Sequence, residues 1–319
     1  TKYGKAKVSL PGGCAIGTRP VDLHISALEK MGAEFIIEDG YIKGKVKGRL
    51  KGCEIKLKKI SVGATENIIM AATLADGETI IKNAAREPEI SDLSNFLVDS
   101  GAEINGYGTN VIKIKGKKRL RGCEFSVMPD RIEAGTYALC VMGCSGNIIL
   151  ENVNDLICDH LMKIFKPLNV LFLSKKDNGN KLAIKRTNRF QKNVIISTKE
   201  FPGFPTDLQA QLIASLVKSE GKSVIKENIF ENRFMHVSEL RRMGANLKQM
   251  GTKIIIDGVK DIYGAEVMAT DLRASSSLII AGLMASGKTI VNRVYHLDRG
   301  YENLEEKLRN CGVKIRRLS

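Results

Sequence analysis

The sequence predicts an α/β protein built from repeated βαβαββ units that are divided between two domains. Two short phrases recur in step through the 319 residues. The second phrase is a glycine followed by a β-branched run, and it begins at Gly77, Gly146, Gly221 and Gly287. The first phrase is a glycine, once an asparagine, directly after an amphipathic helix. Its positions, about 70 residues apart, are Gly32, Gly101, Asn169, Gly244 and Gly312.

Each element of the unit follows from a local pattern. Apolar spacing predicts helices over 65–74 and 91–100, and the residue that follows each amphipathic helix suits a left-handed C-cap. Strands are predicted over 79–83, around Ile104 and over 111–114, where β-branched residues alternate with polar ones. The same alternation predicts a strand over 56–60.

The first repeat is expected to be incomplete. No helix precedes the unit that contains Gly32, and near position 8, where the second phrase is due, residues 8–13 read VSLPGG. The chain then holds four and a half units. Six would give two equal domains, so roughly 100 residues are expected to be missing. We expect this polypeptide alone to be poorly stable or inactive; the alternative is a complete short variant. The domain boundary is predicted at 128–131, giving domains 1–128 and 129–319.

The composition limits the classes of partner that the protein is expected to bind. The 50 Lys and Arg against 35 Asp and Glu give a net charge of +15, which favours anionic partners. The charge is spread along the chain, only 5% of residues are aromatic and Trp is absent, so no nucleic-acid partner is expected. The apolar run 277–285 is too short for membrane insertion.

The seven cysteines and four histidines lead to predictions about the cellular compartment and about metal binding. The cysteine count is odd and no C-x-x-C pair occurs, which fits a reducing, cytoplasmic location. His24, His160, His236 and His296 lack metal-ligand spacing, so no metal site is predicted.

The segment PGGCAIGTRP at 11–20 is a candidate reactive loop. Its glycines give the backbone freedom, and Arg19 lies close enough in sequence to lower the pKa of the Cys14 thiol and to bind an anion. A turn that buries a small cysteine is the alternative.

Three further segments concentrate polar groups. In FPGFPTDLQAQ (201–211), Asp207 starts a helix and is either its N-cap or a general base. In TDLRASSS (270–277) and HLDRGY (296–301), Arg273 and Arg299 follow an aspartate closely. These arginines are either forks for phosphate or carboxylate, or members of surface ion pairs. FENRFMH (230–236) is similarly dense in polar side chains.

These motifs together resemble the bacterial UDP-N-acetylglucosamine enolpyruvyl transferases (1-carboxyvinyltransferases). The resemblance runs from about residue 8 to 317 and the shikimate-specific relatives lack the PGGC loop. It implies two inside-out α/β barrels with the active site in the cleft between them. Addition–elimination between phosphoenolpyruvate and UDP-N-acetylglucosamine is implied as the reaction, without a cofactor. The matching motifs are PGGCAIGTRPVDLHIS, SVGAT, NAAREPEISD, PDRIEAGTY, FPTDLQAQ, FENRFMH, MATDLRAS and HLDRGYE.

The resemblance also implies residue roles. Cys14 matches the loop cysteine that donates a proton, forms a phosphoenolpyruvate adduct and is alkylated by fosfomycin. Asp207 matches the carboxylate that takes the hydroxyl proton, and Arg19, Arg273 and Arg299 match the guanidinium groups that bind phosphoenolpyruvate. The residues that match UDP-sugar-binding positions are Arg19, Pro20, Val21, Asp22, Leu23, Lys59, Ile60, Ser61, Val62, Asp207 and Ile229.

One departure leaves alternatives open. The family's Lys-Asn pair, which contacts phosphoenolpyruvate, and an arginine that contacts the UDP-sugar have no counterpart in this sequence. An enolpyruvyl transferase with another acceptor is one alternative, disfavoured by the cysteine loop. A catalytically inactive relative that has kept the fold is the other.

Overall fold

The computed structural model describes residues 1–10, 21–168, 170–175, 181–186 and 192–318. Within these residues the chain forms two compact units. The first unit comprises residues up to 128 together with 200–202, and the second comprises 129–199 and 203–318, each without the undescribed positions.

The first unit contains a βαβαββ repeat. Its first strand runs parallel to the second, and the second pairs antiparallel with the fourth, giving the sheet order β4-β5-β7-β6. In chain order its elements are β4 (Glu54–Lys56), α2 (Val62–Ala72), β5 (Glu78–Lys82), α3 (Pro88–Asp99), β6 (Glu103–Asn105) and β7 (Val111–Lys115).

The predicted elements of this repeat are present, with one exception. The helices and the strands β5, β6 and β7 lie where the sequence patterns place them. The strand predicted over 56–60 is wrong, because strand β4 ends at Lys56. Leu57 is buried and its N–H donates to the Lys82 carbonyl at 3.0 Å, after which the chain turns towards Ser61, the N-cap of α2.

The residues before β4 form a smaller sheet with the order β1-β3-β2. The elements are β1 (Lys5–Ser9), α1 (Asp22–Lys30), β2 (Glu34–Glu38) and β3 (Tyr41–Lys45). Gly77 directly precedes β5, and its carbonyl accepts a backbone hydrogen bond from the Gly116 N–H. Gly4 directly precedes β1, and its carbonyl accepts the matching bond from the Val46 N–H at 2.8 Å. Gly4 therefore marks the start of this repeat's second phrase. The sequence pattern missed it because lysine and alanine replace the β-branched residues there.

The second unit contains a repeat of the same topology, with the sheet order β11-β12-β14-β13 and β11 parallel to β12. A turn of 3₁₀-helix, Thr206–Leu208, precedes its first α-helix. The elements are β11 (Ile195–Ser197), α6 (Gln209–Leu216), β12 (Lys222–Lys226), α7 (His236–Arg242), β13 (Asn246–Met250) and β14 (Lys253–Asp257).

The other elements of the second unit flank this repeat. Helices α4, α6 and α8 pack on one another. Before the repeat come α4 (Arg131–Cys144), β8 (Asn147–Leu150), α5 (Asp155–Phe165), β9 (Val170–Lys175) and β10 (Lys181–Arg186). After it come β15 (Glu266–Met268), α8 (Leu272–Met284), β16 (Ile290–Asn292), α9 (Tyr295–Asp298) and α10 (Leu304–Asn310).

Helix α2 supplies the centre of the core in the first unit. Ile68 and Ile69 are completely buried, and small residues such as Ala64 and Ala72 let the sheet and neighbouring helices approach closely. Burying an isoleucine side chain stabilises a fold by about 2 kcal/mol. The Ser61 hydroxyl accepts a hydrogen bond from the Ala64 N–H at 3.3 Å and begins this helix.

The glycine C-caps predicted from the repeat are confirmed. Gly32, Gly101, Gly244 and Gly312 have φ of +95°, +97°, +97° and +87°, a region closed to most side chains. The fifth position, Asn169, lies outside the described residues. None of the helices in the described part of the chain combines the length and the apolar character of a membrane span.

Gly116 provides a test of this backbone packing. A Cβ at Gly116 would overlap the backbone carbonyl of Ala75, whereas a Cβ at Gly122 would meet nothing within 4 Å. We expect Gly116→Ala to lower the free energy of unfolding by about 2 kcal/mol, and Gly122→Ala to change it by less than about 0.5 kcal/mol. Urea unfolding followed by circular dichroism measures both, and equal stabilities would contradict this account of the packing.

His236, at the start of α7, provides a test of pH dependence. It is 2% exposed, and burial, helped by the charge of Arg233, lowers the pKa of His236 to about 4. The unfolded chain therefore binds a proton more readily than the folded chain. We expect the unfolding free energy to fall by about 2 kcal/mol between pH 7 and pH 5 on this account. Denaturant titrations of the protein and of His236→Gln measure this loss, and an equally steep loss in the variant would refute the assignment.

Candidate functional site

Asp207 lies in the 3₁₀ turn before α6 and its side chain does not cap the helix. The cap positions of this turn and of α6 carry no side-chain cap bond, so the N-cap interpretation is wrong. Instead Asp207 Oδ1 accepts a hydrogen bond from Arg233 Nη2 at 2.5 Å and lies 3.5 Å from Arg273 Nε. Pro205, in extended conformation, leads into the turn. The carboxylate is committed to guanidinium groups.

Arg233 is the partner that the sequence pattern did not single out. It lies within FENRFMH, is 5% exposed, and its guanidinium stacks over the Phe230 ring with 5.2 Å to the ring centroid. Its Nη1 donates to Thr206 Oγ1 at 2.9 Å. The density of polar residues in this segment was the only available signal, and that signal does not distinguish Arg233 from its neighbours.

Arg273 reaches the same carboxylate from the start of α8. Asp271 caps this helix by accepting hydrogen bonds from the Arg273 and Ala274 N–H groups at 2.8 and 3.0 Å. The guanidinium of Arg273 is thereby left to Asp207 and to the Tyr301 hydroxyl, which accepts from Nη1 at 3.1 Å. The interpretation of Asp271 and Arg273 as a surface ion pair is wrong, because Asp271 is buried and serves as a cap.

Tyr301 joins this site to the helix layer. It is 2% exposed, and its hydroxyl lies 2.8 Å from Thr136 Oγ1, 3.3 Å from Gln211 Nε2 and 3.4 Å from Ser276 Oγ. These partners belong to α4, α6 and α8. The network fixes the tyrosine and, through it, one side of the Arg273 guanidinium.

The electrostatics keep Asp207 ionised. Burial by itself raises the pKa of the Asp207 carboxyl, but the positive charges of Arg233, Arg273 and Arg131 outweigh it and hold that pKa below its ordinary value. The Asp207 side chain remains 42% exposed, whereas that of Arg233 is 6% exposed. The Asp207 carboxylate is therefore accessible to solvent, whereas the guanidinium groups that pair with it are largely buried.

Among the described residues, the other residues predicted for the second unit make no direct hydrogen bond or ion pair with Asp207. Arg299 is exposed at the end of α9, and no hydrogen bond or ion pair connects it to Asp207 within the described residues. Its neighbour Asp298 pairs with Arg317 at 2.6 Å, so the alternative interpretation, a surface ion pair of Asp298 with Arg299, is wrong. Ile229 is 38% exposed and its N–H donates to Glu227.

Those predicted UDP-sugar residues of the first unit that the structure describes lie at two helix starts. Val21 and Asp22 begin α1, and 59–62 form the turn and first residue of α2. The two helices are linked by a 2.7 Å hydrogen bond between Asn67 Nδ2 and His24 Nδ1. A cavity of about 120 Å³ adjoins Asp22 and Leu23. Its remaining lining residues are Ser26, Ala27, Lys30, Ile55, Lys56, Leu57 and Lys58.

Cys14, Arg19 and Pro20 lie outside the described residues, so their predicted roles are untested. Within the described part of the chain, no group of three or more His, Cys, Asp or Glu residues is arranged to hold a metal ion.

Comparison with known proteins places these features in a family. The family model described as EPSP synthase (3-phosphoshikimate 1-carboxyvinyltransferase) matches residues 1–308. A UDP-N-acetylglucosamine 1-carboxyvinyltransferase of Paramagnetospirillum magneticum is 53% identical over 99% of this chain and 73% of its own length. The same enzyme of Granulibacter bethesdensis is 52% identical over 100% of this chain and 75% of its own length.

Solved structures agree on the fold. The enolpyruvyl transferase NikO from Streptomyces tendae superimposes with a TM-score of 0.85 at 22% identity, covering 99% of this chain and 74% of its own. An EPSP synthase from Acinetobacter baumannii gives a TM-score of 0.68 at 19% identity, covering 96% and 73%. The predicted α/β fold of βαβαββ repeats is thus confirmed, and the chain belongs to the enolpyruvyl transferase family.

Proposed function

We propose that this chain transfers the enolpyruvyl group of phosphoenolpyruvate to the 3′-hydroxyl of UDP-N-acetylglucosamine and releases phosphate. The observation that carries the proposal is the Asp207 carboxylate held between Arg233 and Arg273, in a chain 53% identical to a relative of that name. A carboxylate next to two guanidinium groups suits a reaction in which a hydroxyl attacks an anionic substrate.

The proposed reaction proceeds by addition and elimination. The oxygen of the sugar hydroxyl bonds to C2 of phosphoenolpyruvate while Asp207 takes the proton of that hydroxyl. Cys14 delivers a proton to C3. The tetrahedral intermediate then loses a proton from C3 while the bond from C2 to the phosphate oxygen breaks. The product is an enol ether, and the chemistry requires neither a cofactor nor a metal ion.

The ion pairs of Asp207 explain how its basicity can depend on substrate. Without substrate, Arg233 and Arg273 face Asp207 and lower its proton affinity. The phosphate and carboxylate of phosphoenolpyruvate compete for guanidinium groups, and Arg19, Arg273 and Arg299 are proposed to bind them. Engaging Arg273 in this way weakens its hold on Asp207, so that the carboxylate becomes a stronger base when the substrate is present.

The UDP-sugar is proposed to bind the first unit at the helix starts of α1 and α2. A helix N-terminus presents unpaired N–H groups and a partial positive charge, which suits a diphosphate. Lys59 adds a full positive charge beside the Ser61 N-cap. Asp22 is proposed to offer a carboxylate to the uridine beside the small cavity that Leu23 helps to line, and Ile229 is proposed as a further contact of the UDP-sugar.

The two alternatives rank lower. An acceptor other than UDP-N-acetylglucosamine is disfavoured because several relatives at 50–53% identity carry the same name. An inactive relative is disfavoured because the charged cluster around Asp207 is intact.

As a peptidoglycan-precursor enzyme the protein is proposed to act in the cytoplasm and to support cell shape and division. The odd number of cysteines and the absence of a C-x-x-C pair fit such a reducing compartment.

Asp207 gives the direct test. We expect Asp207→Asn in the full-length protein to lower kcat by at least about 100-fold, because the amide cannot accept the hydroxyl proton. Phosphate release with both substrates measures the rate. Asp261→Asn is the matched control, since Asp261 is a surface partner of Lys218 at 3.6 Å in the same unit. Equal activity of the two variants would remove Asp207 from the mechanism.

Cys14 gives an independent test with fosfomycin. We expect one covalent adduct, on Cys14, in the presence of UDP-N-acetylglucosamine, because Arg19 is proposed to favour the thiolate. Burial raises the pKa of Cys53, Cys140 and Cys158, which keeps these thiols protonated and unreactive at neutral pH. Peptide mass spectrometry locates the adduct, with Cys14→Ser as the control. No adduct at Cys14 would favour the inactive relative.

A further inference from the structure

Glu227 is a buried carboxylate that the proposed reaction does not use. It directly follows strand β12 and is 1% exposed. Its hydrogen-bond donors among the described residues are neutral. Oε1 accepts from Thr198 Oγ1 at 2.8 Å and from the N–H groups of Ile229 and Phe230 at 2.8 and 3.2 Å. Oε2 accepts from Thr206 Oγ1 at 2.9 Å.

Thr206 transmits this arrangement to the charged cluster. The Thr206 hydroxyl donates to Glu227 Oε2, so its single proton is directed to that carboxylate. Its lone pairs are then available to Arg233, whose Nη1 lies 2.9 Å away. Arg233 in turn binds Asp207, the residue next to Thr206. A continuous series of oriented hydrogen bonds therefore runs from Glu227 to the proposed base.

A second connection runs through the turn after β12. The two N–H groups bound by Glu227 fix Ile229, a proposed substrate contact, and Phe230. The Phe230 ring lies under the Arg233 guanidinium. Glu227 thus fixes two contacts of Arg233. One is the Thr206 hydroxyl, which accepts a hydrogen bond from Arg233, and the other is the Phe230 ring, on which the Arg233 guanidinium stacks.

Two other repeats carry no carboxylate at the corresponding position. The residue after the matching strand is Asn83 in the first unit and Arg293 after β16, and both adopt left-handed backbone conformations with φ of +60° and +59°. Asn83 Nδ2 donates to the Leu57 carbonyl at 3.0 Å. Asn228 makes the equivalent bond to the Thr198 carbonyl, also at 3.0 Å. Glu227 is therefore additional to the bond that closes this repeat.

We propose that Glu227 is a positioning residue that orients Arg233 against Asp207 through Thr206. The proposal rests on the proposed role of Asp207 as the base. Replacing Glu227 by glutamine keeps its volume but not its bonding, because either orientation of the amide turns an NH₂ group towards an existing donor. Arg233 then loses its fixed position and lowers the pKa of Asp207 less effectively.

The test compares two isosteric variants of the threonines that donate to Glu227. Thr206→Val removes the hydroxyl that joins Glu227 to Arg233, whereas Thr198→Val removes a donor that does not contact Arg233. The Asp207 carboxyl is titrated by carbon-13 NMR in the ligand-free, full-length protein and assigned with Asp207→Asn. We expect its midpoint to rise by about half a pH unit or more in Thr206→Val and Glu227→Gln. It should remain unchanged in Thr198→Val and in Thr206→Ser.

The outcomes are distinct. Equal midpoints of the Asp207 titration in all variants would overturn the proposal. Equal increases of that midpoint in Thr198→Val and Thr206→Val would also overturn it. An increase in only one of Thr206→Val and Glu227→Gln would overturn it as well. If Glu227→Gln does not fold, the two valine variants decide alone. The acidic limb of the pH profile of kcat/KM should move with the NMR midpoint. A wild-type protein without phosphoenolpyruvate-dependent phosphate release would refute the proposed function, while the NMR comparison would still test the positioning.

Discussion

The pairing of the Asp207 carboxylate with Arg233 and Arg273 constrains the structure around it. Both guanidinium groups are largely buried, with side-chain exposures of 6% and 13%, and an unpaired charge in such a place is costly. The three residues come from the turn before α6, from the segment before α7 and from the start of α8. Since each needs the others for charge compensation, the three segments are fixed relative to one another.

Two aspartates near this cluster serve different purposes because their backbone positions differ. Asp271 directly precedes α8 in extended conformation, so its carboxylate turns back to the free N–H groups of Arg273 and Ala274. Asp207 lies inside a 3₁₀ turn, where its side chain points away from the helix start and meets guanidinium groups. One carboxylate therefore caps a helix, and the other pairs with two arginines.

The repeated βαβαββ unit is a general scaffold in which single positions have been adapted. The repeats of β4–β7 and β11–β14 share strand order and register, and each closes with a side-chain amide bonded to the carbonyl after its first strand. The second repeat adds Glu227, Thr206 and Arg233 to that common frame. The scaffold supplies rigidity, and a few polar side chains at or just before the starts of its helices supply the charged cluster.

The sequence by itself determined the repeats, the glycine C-caps and most helices and strands, because hydrophobic period and left-handed glycine are local properties of the chain. It also picked out Asp207 and Arg273 through their motifs, and it missed Gly4 as a repeat start where lysine and alanine conceal the strand pattern. Only the tertiary structure decided that Asp207 binds arginines instead of capping α6, that Asp298 pairs with Arg317, and that Thr206 bonds to both Glu227 and Arg233. These outcomes depend on side chains that are distant in sequence and meet only when the helices and strands have packed, and a local pattern carries no information about that meeting.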